Sequence, residues 1–185
     1  MDVIDIRSAT PADTSAIAQV RVESWRTTYR GIVPDAYLDG MKVEDSVAWL
    51  AKLLVAGPHS TSVFVAEDTN GVVGFAAGNL MAEPKHGFDA ELYIIYLIQR
   101  AQRTGVGARL VAAVAAAQRA HGATGLIVWV IAANRAARNF CEILGAEFLL
   151  EQPLNTHGME LVEAGYGWRD LDALVAAVDL TIVLH

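Results

Sequence analysis

Glu91-Leu92-Tyr93-Ile94-Ile95-Tyr96-Leu97 leads through Ile98 to Arg100 into Gln102-Arg103-Thr104-Gly105-Val106-Gly107-Ala108, and this stretch decides the fold. Seven residues dominated by β-branched and aromatic side chains read as a strand. The glycines that follow open an Ala-rich segment, Gly105 to His121, in which Val106, Leu110, Val114 and Ala117 recur on one helical face. A strand, a glycine-rich turn and a helix in that order put unpaired N–H groups and a partial positive charge where an anionic phosphate can come close to the main chain. Two nucleotide motifs do not fit: no Gly-Lys-Ser/Thr ending is present, and Leu110 stands where a dinucleotide fingerprint needs a third glycine. Arg100, Arg103 and Arg109 gather three of the 14 basic residues around the turn, which should make it locally positive. The alternative is a glycine-started helix with solvated arginines.

Outward from this segment the pattern stays α/β. Val3 to Arg7 is a short strand; Thr10, Pro11 and Asp13 mark a helix start, and Ile17, Val20, Ser24, Trp25, Thr28 and Tyr29 keep helical spacing until Gly31 and Pro34. Val43 to Val55 predicts a second helix closed by Gly57 and Pro58. Thr61 to Glu67 and Val72 to Leu80 flank Thr69-Asn70-Gly71 as a hairpin. Beyond the Ala-rich helix come a strand at Leu126 to Ala132, a helix at Asn134 to Leu144, and closing strands at Glu147 to Glu151 and about Gly158 to Ala164. No linker, charge block or repeat interrupts the chain, so the expectation is a single α/β domain over residues 1–170 built on a mixed sheet, with 171–185 as a tail that can be helical.

Composition narrows the chemistry. Of 185 residues 54% are apolar, which predicts a buried core rather than disorder. Apolar runs such as Leu126 to Ala133 stop after about eight residues, short of the ~20 that cross a bilayer, so no membrane partner is expected. The acidic start at Asp2 and Asp5 is unlike a signal peptide, and one cysteine cannot close an intrachain disulfide, so a cytoplasmic location is expected. With 14 basic against 21 acidic residues the net charge is -7, which argues against nucleic acid as a partner. The five histidines have no metal-ligand spacing to one another or to Cys141, and no Gly-x-Ser-x-Gly elbow occurs. No metal is expected.

The segment Gln102 to Gly107 resembles the acetyl-CoA signature of the GCN5-related N-acetyltransferases, Gln/Arg-x-x-Gly-x-Gly/Ala, at every fixed position. A second block, Val128-Trp129-Val130 with Asn134, Ala137, Phe140 and Gly145, is similar to the family's fifth strand and following helix. Ser24-Trp25-Arg26 and Tyr29-Arg30-Gly31 resemble the first helix of one bacterial subgroup, and Tyr166-Gly167-Trp168 its C-terminal strand. The resemblance implies a mixed, mostly antiparallel sheet of six to seven strands flanked by helices, with the fourth and fifth strands splayed apart. It implies that acetyl-CoA is the cosubstrate, its pantetheine paired with main chain near Leu97 and Ile98, its diphosphate on the N–H groups of Arg103 to Ala108 (Arg103, Thr104, Gly105, Val106, Gly107, Ala108), with Gln102 completing the motif. Asn134 is a pantetheine contact by the same resemblance; by residue type it is also a helix N-cap.

Acetyl transfer by direct attack needs a neutral amine, whereas an alkylamine of pKa near 10.4 is almost wholly protonated at neutral pH. Strand alternation puts Glu91, Tyr93, Ile95 and Leu97 on one face, which makes Glu91 the candidate base, acting through water; its other reading is a carboxylate paired with an arginine. Where the family usually has a tyrosine to protonate the leaving thiolate, this chain has Cys141, which is either a thiol donor or an inert packed residue. Tyr93, Tyr96 and Tyr166 are alternative acids, with Tyr166 preferred. Trp25 and Tyr29 share a helix face, and the resemblance implies that this segment walls the acceptor pocket, with Tyr93 a further candidate; the competing reading is ordinary core. The expected activity is N-acetylation of a primary amine of a small molecule or peptide in a ternary complex, and the alternative is an acyl-CoA-binding sensor that lost catalysis. A homodimer is left open.

Overall fold

A computed structural model describes residues 4–56 and 59–183, and at its centre β4 (Phe88–Leu97) joins two halves of one seven-stranded sheet. The other strands are β1 (Asp5–Ser8), β2 (Ser62–Asp68), β3 (Gly71–Lys85), β5 (Leu126–Ile131), β6 (Glu147–Thr156) and β7 (Met159–Trp168), in the spatial order β1-β2-β3-β4-β5-β7-β6. Every pairing is antiparallel except β4 with β5. That parallel pair needs a crossover, and α4 (Val106–Ala120) supplies it.

The helix packs close to the sheet because β3 has a glycine beneath it. A Cβ on Gly78 would lie 2.5 Å from Val114 Cγ1 and 2.8 Å from the Glu91 carbonyl oxygen. Gln118, fully buried, extends the contact by donating its amide to the carbonyls of Ser60 and Gly78 at 3.0 and 3.1 Å. On the outer side of α4 lies α6 (Leu171–Val183), the expected tail, with Leu171, Leu174 and Val178 buried and Asp172 paired to Arg119.

The opposite face carries α1 (Thr14–Thr28), α2 (Asp35–Gly40) and α3 (Val43–Ala56). The entry to α1 is fixed by Asp13, whose carboxylate accepts the Thr10 N–H at 2.7 Å and both terminal nitrogens of Arg7 at 2.8 Å. These bonds hold its pKa well below the usual carboxylate range. The short α2 was not expected; Arg30 reaches Asp35 at its start and Asp39 near its end. Gly57 and Pro58, read as the stop of α3, lie outside the described residues, as does Val3.

β3 and β4 are longer than the sequence pattern suggests, because they meet at a two-residue turn, His86-Gly87, with φ of 53° and 83°. β6 and β7 meet at an equivalent turn, His157-Gly158, with φ of 50° and 74°. Positive φ at both central residues matches the twist of a tight hairpin. The sequence reading ended these strands early.

Candidate active site

One extra residue on β4 shapes the site. Ala77 pairs with Ile94 but the next residue of β3, Gly78, pairs with Leu92, so Tyr93 has no partner in register. Such a bulge bends the strand and resets which face each side chain takes. Leu92, Ile95 and Leu97 lie opposite Gly78, Ala76 and Gly74 and so take the α4 side, where Leu97 also approaches Gly107. Glu91 and Tyr96 take the other side, Tyr96 with its ring 6.2 Å from that of Trp25 on α1. The expectation that simple alternation puts Glu91, Ile95 and Leu97 on one face is therefore corrected: the inserted Tyr93 breaks the period.

The bulge also ends the parallel ladder. β4 and β5 are in register only at Ala90 with Leu126, Glu91 with Ile127 and Leu92 with Val128. From there β5 continues against β7 alone, through Trp129 with Gly165 to Ile131 with Glu163, and a gap opens beside the second half of β4. Ile98 donates its N–H to the Val73 carbonyl at 3.0 Å. Antiparallel pairs alternate between bonded and non-bonded positions, so the Leu97 N–H points away from β3, into the gap. Of the two main-chain contacts expected near the gap, Leu97 presents a donor and Ile98 has spent its own.

Below the gap, Arg103 and Gly105 have φ of 59° and 84° and turn the chain into α4. The first N–H to find a helical acceptor in this turn is that of Arg109, on the Gly105 carbonyl at 3.2 Å, which leaves the N–H groups of Val106, Gly107 and Ala108 ahead of it. Gln102 braces the loop by donating to the Leu97 carbonyl at 3.1 Å, and Thr104 does so by donating to that of Ala101 at 2.7 Å. A side chain at Gly107 would be tight, since its Cβ would lie 3.2 Å from the Phe140 ring. These are the donors and the close approach that a diphosphate requires. The expected cluster of three arginines is reduced by one: Arg100 is paired to Asp68, whereas Arg109 donates to the neutral Ile4 carbonyl at 2.9 Å and keeps its charge, so Arg103, Arg109 and the helix end carry the positive potential. Asn134 caps α5 (Arg135–Ile143), its Oδ1 accepting the Ala137 N–H at 3.1 Å, and it also meets the Tyr29 hydroxyl.

On the Glu91 face a cavity of about 440 Å³ lies at the mouth of the gap, lined among others by Lys85, Glu91, Tyr93, Trp129 and Glu163. Burial raises the Glu91 pKa, Glu163 adds to the rise and Lys85 opposes it. The Tyr93 hydroxyl is buried with no hydrogen-bond partner, and burial followed by the Glu91 charge pushes its pKa to about 12. Trp129 lies flat on β7, where a Cβ at Gly165 would come within 2.8 Å of the indole. Farther along the same side, Trp25 and Tyr29, their rings 4.7 Å apart, belong to a small apolar cluster with Val33, Leu38 and Ile131. They are 8% and 9% exposed, so they form a wall rather than an open surface.

The model of the acetyltransferase (GNAT) family matches residues 20–146. This chain belongs to that family. It is 37% identical over 174 residues to the N-acetyltransferase YuaI of Bacillus subtilis (strain 168), covering 93% of this chain and 96% of that protein. Among solved structures it resembles the PaiA N-acetyltransferase of Thermoplasma acidophilum in complex with coenzyme A, with TM-score 0.70, 21% identity and coverage of 88% and 98%. It also resembles the ribosomal-protein-alanine N-acetyltransferase of Brucella melitensis, with TM-score 0.67, 25% identity and coverage of 89% and 99%. Acetyl-CoA is the cosubstrate of the GNAT family, and the Leu97 donor, the gap and the glycine loop form a site that fits it.

Two expectations about the GNAT proton donor are corrected. Tyr166 pairs with Val128, which pairs with Leu92, so all three share the α4 side of the sheet and Tyr166 faces away from Glu91. Its hydroxyl is fully engaged there, accepting from Arg138 Nε at 3.0 Å and donating to Glu142 at 2.9 Å. Cys141 is buried in the main core, and burial, then the charge of Glu142, pushes its thiol up to about 12. It is a packing residue. Conversely, sequence reasoning missed Lys85 and Glu163 and gave Trp129 no part in the site; no motif marks them, since a cross-strand register brings them to Glu91. Among the described residues no group of three or more His, Cys, Asp or Glu is placed to hold a metal, and no helix is long and apolar enough to cross a membrane.

Proposed function

We propose that the protein transfers the acetyl group of acetyl-CoA to a primary amine by direct attack in a ternary complex, with Glu91 as the base. The observation that carries this is a half-buried carboxylate with a raised pKa, in a cavity at the mouth of the gap that would admit the thioester. The N–H groups at Gly105 to Ala108 hold the diphosphate, and the Leu97 N–H orients the thioester oxygen. Bound acetyl-CoA supplies an activated acyl carbon. The amine, ~10³-fold protonated near pH 7, gives its proton to Glu91, directly or through water, before its lone pair attacks. As the C–N bond forms and the C–S bond breaks, the second amine proton is lost to solvent. The thiol, whose reference pKa is near 8.5, can depart as the anion, so a dedicated acid is not required. That removes the difficulty of Cys141 at the usual tyrosine position.

Thiol release from acetyl-CoA, measured against a panel of small amines and peptide amino termini, tests the proposal. Turnover that collapses in Glu91→Gln supports it. Tight CoA binding with no turnover on any amine would instead favour a sensor, and failure to bind CoA would sink both readings.

A further inference from the structure

We infer that the acceptor is a small amine with a second cationic group, and that Glu163 binds that group while Glu91 serves the reacting nitrogen. This rests on the cavity being the acceptor site. Glu91 lies opposite Ile127 and Glu163 opposite Ile131, so both sit on one face of the sheet, four positions apart along β5, or about 13 Å of strand before their side chains converge. Midway on that face stands Trp129, its indole lying flat over Gly165. The cavity therefore has a carboxylate at each end and an aromatic floor between them. A short methylene chain with an ammonium at each end fits that shape, and the indole face also favours a cation.

The charge state of the cavity supports this reading. Several other acidic side chains find cations: Asp13 has Arg7, Asp68 has Arg100, Glu151 has Arg138. Among the described residues neither Glu91 nor Glu163 forms an ion pair, and the hydrogen bond to Glu163 comes from the neutral amide of Gln152, at 2.7 Å. Lys85 and His86 also face the cavity, His86 with its ring centroid 5.7 Å from that of Trp129 and Lys85 acting on Glu91 at longer range; with histidine counted as neutral, an excess of one negative charge is left. The buried, partnerless Tyr93 hydroxyl adds an acceptor in the same wall. Two half-buried carboxylates without cations are costly until a ligand brings them. An amino acid would instead put its own carboxylate against them.

The test uses the full chain with saturating acetyl-CoA and compares 1,4-diaminobutane and 1,8-diaminooctane with butylamine and octylamine. The better diamine should exceed the monoamine of equal carbon number at least tenfold in kcat/KM. Glu163→Gln should lower kcat/KM for the diamine, through KM, at least tenfold more than it lowers kcat/KM for the monoamine on the pH plateau, and Glu163→Asp, which keeps the charge, should retain most of the diamine advantage. Glu163→Gln should also move the acid limb of the monoamine profile to lower pH, because one negative charge near Glu91 is gone. Equal rates for diamines and monoamines, equal losses on both in Glu163→Gln, or preference for carboxylate-bearing amines would overturn the inference while leaving acetyl transfer intact. CoA binding with no amine turned over would overturn both.

Discussion

The two faces of the sheet are made by the same strands, yet they use their polar groups differently. On the α4 face the Tyr166 hydroxyl sits between Arg138 and Glu142, and the Gln118 amide nitrogen spans the carbonyls of Ser60 and Gly78, although its Oε1 finds no partner. On the Glu91 face a carboxylate is half-buried without an ion-pair partner and a tyrosine hydroxyl is buried without a hydrogen bond. What singles out the Glu91 face is that its two unmet groups line one cavity, which marks that cavity as the place for a ligand. The division between the faces is enforced by one inserted residue, Tyr93.

The sharpest way to break this contrast is Glu91→Gln, which keeps shape and removes the base; kcat should fall by about 10²–10⁴ in a thiol-release assay. In the unaltered protein the acid limb of kcat/KM should lie above the ordinary glutamate value of ~4.3, since the base works only when deprotonated and its pKa is raised. Next is Gly105→Val. A branched side chain at φ of 84° costs at least ~1–2 kcal/mol, and the relaxed loop should bind CoA tenfold or more weakly in an equilibrium titration.

Gly78→Ala probes the α4 face. Its Cβ would meet Val114 and the Glu91 carbonyl, costing about 1–3 kcal/mol of stability and lowering Tm by several degrees. The smallest effects should come from Tyr166→Phe and Cys141→Ala. Each should cost about 1 kcal/mol in denaturant unfolding and leave kcat within roughly twofold, because neither side chain lines the Glu91 cavity. A large kcat loss in Tyr166→Phe would show that the division between faces is drawn wrongly.

Much of the fold was legible because its signals are local. The Gln102 to Gly107 motif, the apolar period of α4 and the strand before it rest on neighbouring residues and needed no tertiary information. The loop proposed to hold the diphosphate was legible for the same reason: its donors are consecutive backbone groups. The acceptor side was not. Glu163 reaches Glu91 through the register of β4, β5 and β7, and the face of Tyr166 follows from the same register, which no pattern within one strand encodes. The bulge at Tyr93 has no compositional mark, since neither glycine nor proline is needed for one extra residue in a β-prone run. The reach of β3 and β4 was hidden by Glu83, Pro84 and Lys85, which look like a loop and instead form the exposed end of a hairpin.

Asp68 holding Arg100, and the Ile4 carbonyl holding Arg109, carry one more consequence. Under the proposed binding mode, the coenzyme meets the fixed dipoles of the loop together with the full charges of Arg103 and Arg109, while Arg100 is neutralised by Asp68. Affinity for CoA should therefore fall as ionic strength rises by the share that Arg103 and Arg109 supply, while the dipole share persists, so a chain that is acidic overall can still capture a polyanion at the salt levels of a living cell.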